Sequence, residues 1–311
     1  MSLIPYMVAY AGIAVFVGAV LVRIAFWARM PMHMRWELYP VAHEGKKASY
    51  GGSYFEEPEW WTKKRHVSLW GEAKAMFVEI VFLAAMWEHN RKLWFRSFPF
   101  HFGLYLIIAA TGVMVFASLL VLIWPAVIAS WFGSVLHVAI ILLGLGGLGL
   151  GLIGAVGLLH RRLTDEDLKD FTSAADLFNL VFFIGAFGLG LLTWALVDLD
   201  FGRVSYFMYN LVSFKMGALP GSGLDVWLPA LTVIALAALL AYIPLTHMSH
   251  FVGKYFAYHA IRWNDTPNMR GSKQETEIEG VLTLPVSWSA DHIQGDGKKS
   301  WAQVATEEMK K

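Results

Sequence analysis

The sequence predicts an all-α integral membrane fold, a bundle of five transmembrane helices with its N-terminus outside and its C-terminus in the cytoplasm. Three observations predict it. Of 311 residues, 57% are hydrophobic and only 16% charged, less charge than a soluble domain of that length carries on its surface. The charges cluster between apolar blocks and after the last one, as a bilayer demands, because an unpaired charge in hydrocarbon costs several kcal/mol. Five apolar blocks, residues 5–27, 99–124, 131–160, 174–197 and 227–252, each offer roughly 20 residues or more, enough to cross the hydrocarbon core.

The first block follows Met1–Pro5 without a basic stretch before it, so it reads as a span and not as a cleavable signal. After it come Arg23, Arg29, Arg35, Lys46, Lys47, Lys63, Lys64 and Arg65, then Arg91, Lys92 and Arg96. The turn 124–131 carries no charge, the loop HRRLTDEDLKD is basic at its membrane edge, and the loop 197–225 has chiefly Arg203 and Lys215. Lys254, Arg262, Arg270 and Lys273 follow the last span. Basic loops stay on the cytoplasmic side, which sets the N-terminus outside. A weaker block, residues 75–87, is too short to span. Charged neighbours make it amphipathic, so it is expected in the interface plane or packed on a partner. The organisation expected is a first span (1–29), a cytoplasmic loop with the amphipathic helix (30–98), a four-helix membrane region (99–260) and a cytoplasmic tail (261–311). That tail has the profile of a segment that orders against a partner, or of a disordered end.

Net charge is +1, which gives no pull toward nucleic acid. With no cysteine, the chain supplies no thiolate to an iron–sulfur cluster, no c-type haem attachment and no disulfide. A redox centre must use His, Met or a carboxylate. Fourteen Trp and eleven Tyr suit two water–lipid interfaces.

Eleven histidines sort by location. His33, His43, His66, His89, His259 and His292 fall in polar segments and read as ordinary surface residues. His101, His137, His160, His247 and His250 lie in or at the ends of spans, where ionisable groups point to function. His101 and His250 both fall near the cytoplasmic edge, with His247 almost one turn deeper than His250 at about 1.5 Å per residue. Two histidines on different helices at one depth can hold the iron of a b-type haem from both faces. They can equally be helix-end residues reaching the interface separately. Gly103, Ala109, Ala110 and Gly112 after His101 would let a flat macrocycle approach. His137 lies toward the outer end of the third span, open to a quinone hydrogen bond, an interhelical bond or, with Met114, weak ligation. His160 reads as a basic flank. The run LLGLGGLGLGLIGAVG lies inside an apolar helix with no strand before it, so it reads as close helix packing or cofactor space and not as a dinucleotide fingerprint.

Four stretches resemble the gamma-subunit family of respiratory nitrate reductase: FPFHFGLYL with His101, GLLHRRL closing the third span, FTSAADLFNLVFFIGAFGLGLLT, and PLTHMSH with His250. They cover about residues 99–252 in the family's order. The resemblance implies a five-span cytochrome b with haem iron between His101 and His250; closeness to those residues in the chain makes Arg96 and His247 candidates to neutralise haem propionates. A second, outer haem would need ligands ten residues after His101 and eighteen before His250. Thr111 and Thr232 stand there, so the resemblance implies one haem of this type and leaves a second open. The long 30–61 loop and the tail are more similar to relatives in heterodisulfide-reductase-like and sulfate-reducer complexes. That resemblance implies a cytoplasmic iron–sulfur partner, room for other membrane or periplasmic cytochrome c subunits, a (mena)quinone substrate, anaerobic respiration, and a multi-pass place in a bacterial or archaeal cytoplasmic membrane. The rival expectation is a haem-free anchor that docks a soluble enzyme. A transporter is disfavoured, since no span pairs acidic residues in its middle and no inverted repeat is visible.

Overall fold

The computed structural model describes residues 3–30, 38, 40–289, 293 and 295–307. Arg35, His33 and His292 lie outside the described residues. Twelve α-helices and several short 3-10 or π turns carry the described chain, and an isolated antiparallel bridge joins Pro285 to Ser300. The helices are α1 (Leu3–Ala28), α2 (Leu69–Phe82), α3 (Ala84–His89), α4 (Arg91–Ile123), α5 (Trp131–Thr164), α6 (Glu166–Lys169), α7 (Ala174–Val197), α8 (Gly202–Val212), α9 (Leu224–Tyr242), α10 (His250–Phe256), α11 (Lys273–Leu282) and α12 (Trp301–Thr306). Five are long and apolar enough to cross a membrane: α1, α4, α5, α7, and α9 with the turn to Leu245. The expected membrane-helical fold therefore holds.

The chain divides into two compact units, Met1–Ala19 with Met76–Met248, and Val20–Ala75 with Ser249–Lys311. In the first, α4 packs on α5, α5 on α7 and α7 on α9, while α8 lies on α4. The glycine run of α5 is where that packing is closest. A Cβ on Gly103 of α4 would stand 2.7 Å from the Gly147 carbonyl, and one on Gly154 would stand 2.6 Å from Phe100 Cα. Gly151 instead receives the Phe187 ring of α7, and Gly144 the Phe201 ring. The glycines thus bring backbones together, as small residues do between membrane helices. Gly103 faces α5 and is not part of an open surface beside His101. Leu142, Ile153, Val156, Val181 and Leu192 remain exposed on these helices, which is the lipid-facing apolar surface a bilayer covers.

Three elements differ from the sequence expectation. The fifth span, expected over 227–252, stops at Tyr242, continues as a 3-10 turn through Leu245 and breaks at Thr246 (φ −113°, ψ −177°). Pro244 is the reason: it has no N–H for the helix, and its ring collides with the carbonyl one turn back. His247 and His250 consequently sit on different short elements and do not share one helix face. The amphipathic block is two helices, α2 and α3, parted at Leu83 in the left-handed region (φ 52°). Finally, the loop 198–223 contains α8, whose Phe207 and Leu211 join Tyr6, Ala9, Leu219 and Ala237 in a second apolar cluster. Tyr6 stacks on Phe207 at 4.4 Å and donates to the Gly217 carbonyl at 2.9 Å.

In the second unit the tail is folded on its own chain. Val286 is buried, Val286 N–H donates to the Lys299 carbonyl, and Ser300 caps α12 with its hydroxyl.

Candidate functional site

His101 lies three turns into α4, in the stretch that Pro99 opens. Its Nδ1 stands 2.8 Å from the Ser97 carbonyl one turn back and 3.2 Å from the Ser97 hydroxyl. A carbonyl only accepts, so Nδ1 must carry the ring proton, and the lone pair is left on Nε2. Metal-ligating histidines are commonly fixed in this way, with the other nitrogen donating to a backbone carbonyl. Ser97 is buried and the ring is half-buried, edge-on to Phe100 at 5.4 Å. The donor therefore fits haem iron, which brings its own ring nitrogens and needs only axial side chains from the protein. A bare ion is a different matter: no group of three or more His, Asp or Glu among the described residues is placed to hold one.

The other candidates are dispersed. Arg96 turns its guanidinium back to the Lys92 carbonyl at 2.9 Å, and its stem crosses Gly157 of α5. His247 is 65% exposed and faces Asp176 at 3.8 Å. Asp176 belongs to the capping box that starts α7 with Ser173. His250 opens α10, in the second unit, and is exposed. His137 sits on α5 one turn from Ile140 and two from Gly144, both buried, and so on the inward face. Among the described residues it has no hydrogen-bond or ion-pair partner. His160 is exposed at the basic end of α5.

The two threonines at the outer-haem positions do not fit iron. Thr111 is exposed and donates to the Ile107 carbonyl at 2.9 Å. Thr232 is buried, 2.5 Å from the Thr193 hydroxyl, and both reach carbonyls of their own helices. A hydroxyl so engaged ties α7 to α9 and offers no soft or imidazole donor.

One cluster escaped sequence reasoning. His43, expected on the surface, is 4% exposed. Its Nε2 stands 2.7 Å from Asp265 and 3.1 Å from the Tyr54 hydroxyl, and its Nδ1 stands 3.3 Å from Glu72. Glu72 also faces His259 at 3.6 Å, and Arg65 pairs with Asp265. This knot joins the loop after α1 to the segment after α10 inside the second unit. No spacing signals it, because His43 and Asp265 are 222 residues apart.

Neither the curated proteins nor the solved structures contain a match to this chain. The family profile described as nitrate reductase gamma subunit does match, over residues 84–264. That stretch holds α4, α5, α7, α9, His101 and His250, and members of the family are membrane haem b subunits that carry electrons in redox complexes. With more than half of its length matched, and with five membrane-crossing helices, the chain belongs to the nitrate reductase gamma subunit family.

Proposed function

We propose that this chain passes electrons between a quinone pool, menaquinone in the expected setting, and a cytoplasmic iron–sulfur subunit of the heterodisulfide-reductase-like kind, across a bacterial or archaeal cytoplasmic membrane. Its N-terminus lies outside on this reading. The observation that carries it is the His101 ring, fixed by Ser97 with its lone pair on Nε2 inside the stretch the family profile covers. Haem b, when bound, supplies a one-electron couple whose potential follows ligand identity and burial. His101 would hold the iron through Nε2, and family position makes His250 the second residue that would hold it. Ser97 orients the imidazole and keeps its tautomer. Phe100 and Phe183, edge-to-face at 4.9 Å, exclude water from the α4 side. Arg96 and His247 are basic groups available to propionates.

One haem is expected. The Thr193–Thr232 bond and the Phe201 ring against Gly144 support that count. His137, inward-facing and with no hydrogen-bond partner among the described residues, accepts a proton from quinol. The test is haem per chain by pyridine haemochrome, in wild type and in His101→Ala, His250→Ala and His137→Ala. About one haem b, lost in the first two and kept in the third, is the expected outcome for bis-histidine ligation. Two haems in wild type would overturn the single-site reading, and none would leave only the anchor.

A further inference from the structure

A cavity of about 440 Å³ opens within the second unit, lined by Phe55, Trp60 and Trp61 on one side and by residues 264–269 with Gln274 on the other. The aromatic wall is built from three rings at different tilts. Phe55 and Trp60 are 4.3 Å apart and inclined by 47°, and Trp60 and Trp61 are 6.1 Å apart at 84°. Ring faces therefore point in more than one direction, and Trp61 is 46% exposed. A left-handed Glu59 (φ 52°) sets the turn that presents both indoles. Only glycine takes that conformation without a steric penalty, so the strain is held by the packing around it.

The polar groups of this cavity are unbalanced. No Lys, Arg or His lines it. Gln274 Oε1 is buried and accepts no hydrogen bond among the described residues, a state that costs free energy until a donor arrives. Glu57 is neutralised by Lys47 and Lys63, and Asp265 by Arg65. Glu59, beside Trp60 in the chain, is exposed and joins no ion pair among the described residues. Glu56, next to Phe55, is exposed as well.

The geometry points to a docking pocket for an arginine side chain of a partner protein. A guanidinium is flat, weakly hydrated and always charged, so it stacks on indole faces and still offers several N–H donors. Those donors answer the orphaned acceptor, and Glu59 and Glu56, each next in the chain to a lining aromatic, carry the matching charge. Lysine brings charge without a stacking plane, and a quinone ring brings only acceptors, which do nothing for the buried Gln274 Oε1. The volume exceeds one side chain and accommodates the backbone that carries it. This assignment rests on the reading of the chain as a subunit of a redox complex and gives the chemistry of one partner contact: a basic segment bearing an exposed arginine.

The test uses the full-length protein in detergent, labelled with fluorotryptophan and titrated with N-acetyl-arginine amide by fluorine NMR. Trp60→Phe and Trp61→Phe assign the two resonances. A saturable shift confined to them is expected, weakened about fivefold by Glu59→Gln and by Gln274→Leu. The citrulline analogue, equal in shape and uncharged, should leave them unmoved. No saturable shift, a shift shared with exposed Trp70, or an equal response to citrulline would overturn the assignment. Haem content is read on the same sample. A haem-free protein that still titrates would sink the cytochrome reading alone, and a haem-loaded protein that does not titrate would sink the pocket alone.

Discussion

His43 shows how much a single buried ring can hold. Both of its nitrogens face carboxylates, Glu72 on one side and Asp265 on the other, and its side chain is 5% exposed. Removing it takes a hydrogen-bond partner from two partly buried acids that keep Arg65 and His259 beside them, at a cost of about 1–3 kcal/mol. His43→Ala should therefore lower the protection of residues 42–72 against limited proteolysis, whereas His66→Ala, at an exposed position, should not. Asp198 is the second residue to test. Its carboxylate accepts from the N–H groups of Arg203 and Val204 and so starts α8. Burial raises its pKa above the ordinary 3.8, against those two bonds, which pull it down. The folded state thus holds this proton more tightly than the unfolded chain. Its contribution favours folding at low pH and is lost as pH rises from about 3.8 through the raised folded value. Thermal unfolding of wild type against Asp198→Asn over that window should show the slope in the first and a flatter line in the second.

Among the elements, the α4–α5 contact is set by what its residues lack. A methyl on Gly103 would stand 2.7 Å from the Gly147 carbonyl, and backbone cannot swing aside as a side chain can. Gly103→Ala should therefore cost about 1–3 kcal/mol, the range for overpacking. Gly112→Ala on the same helix meets nothing within 4 Å and should be neutral, or stabilising by up to about 1 kcal/mol. Unfolding in detergent compares the two directly, and equal losses would refute the packing role. Residues 131–160 read as a glycine-rich span, and the structure decides between packing and cofactor space because only the neighbour's position shows which faces are filled. Pro244 was visible in the sequence too. Its consequence for His247 and His250 was not, since a proline in a span either kinks the helix or ends it, and surrounding contacts settle which.

At the scale of the whole molecule, the chain is well suited to a measurement of orientation. With no cysteine of its own, each introduced cysteine is the only thiol. On the proposed orientation Ala126→Cys, in the exposed turn between α4 and α5, should label with an impermeant maleimide from outside spheroplasts. Lys298→Cys, exposed in the tail, should label only after lysis. The reverse pattern would invert the molecule and place the basic loops outside, against the rule that sets them.

The membrane class and the number of spans are legible in the amino-acid sequence, because bilayer thickness fixes a length and a composition that no tertiary contact can change, and the family is legible in the order of its motifs. Only the tertiary structure decided the break after α9, the inserted α8, the Thr193–Thr232 tie and the His43 knot. Each of these depends on groups far apart in the chain satisfying one another's hydrogen bonds in a place that water or lipid would otherwise occupy, and local periodicity carries no record of such partners.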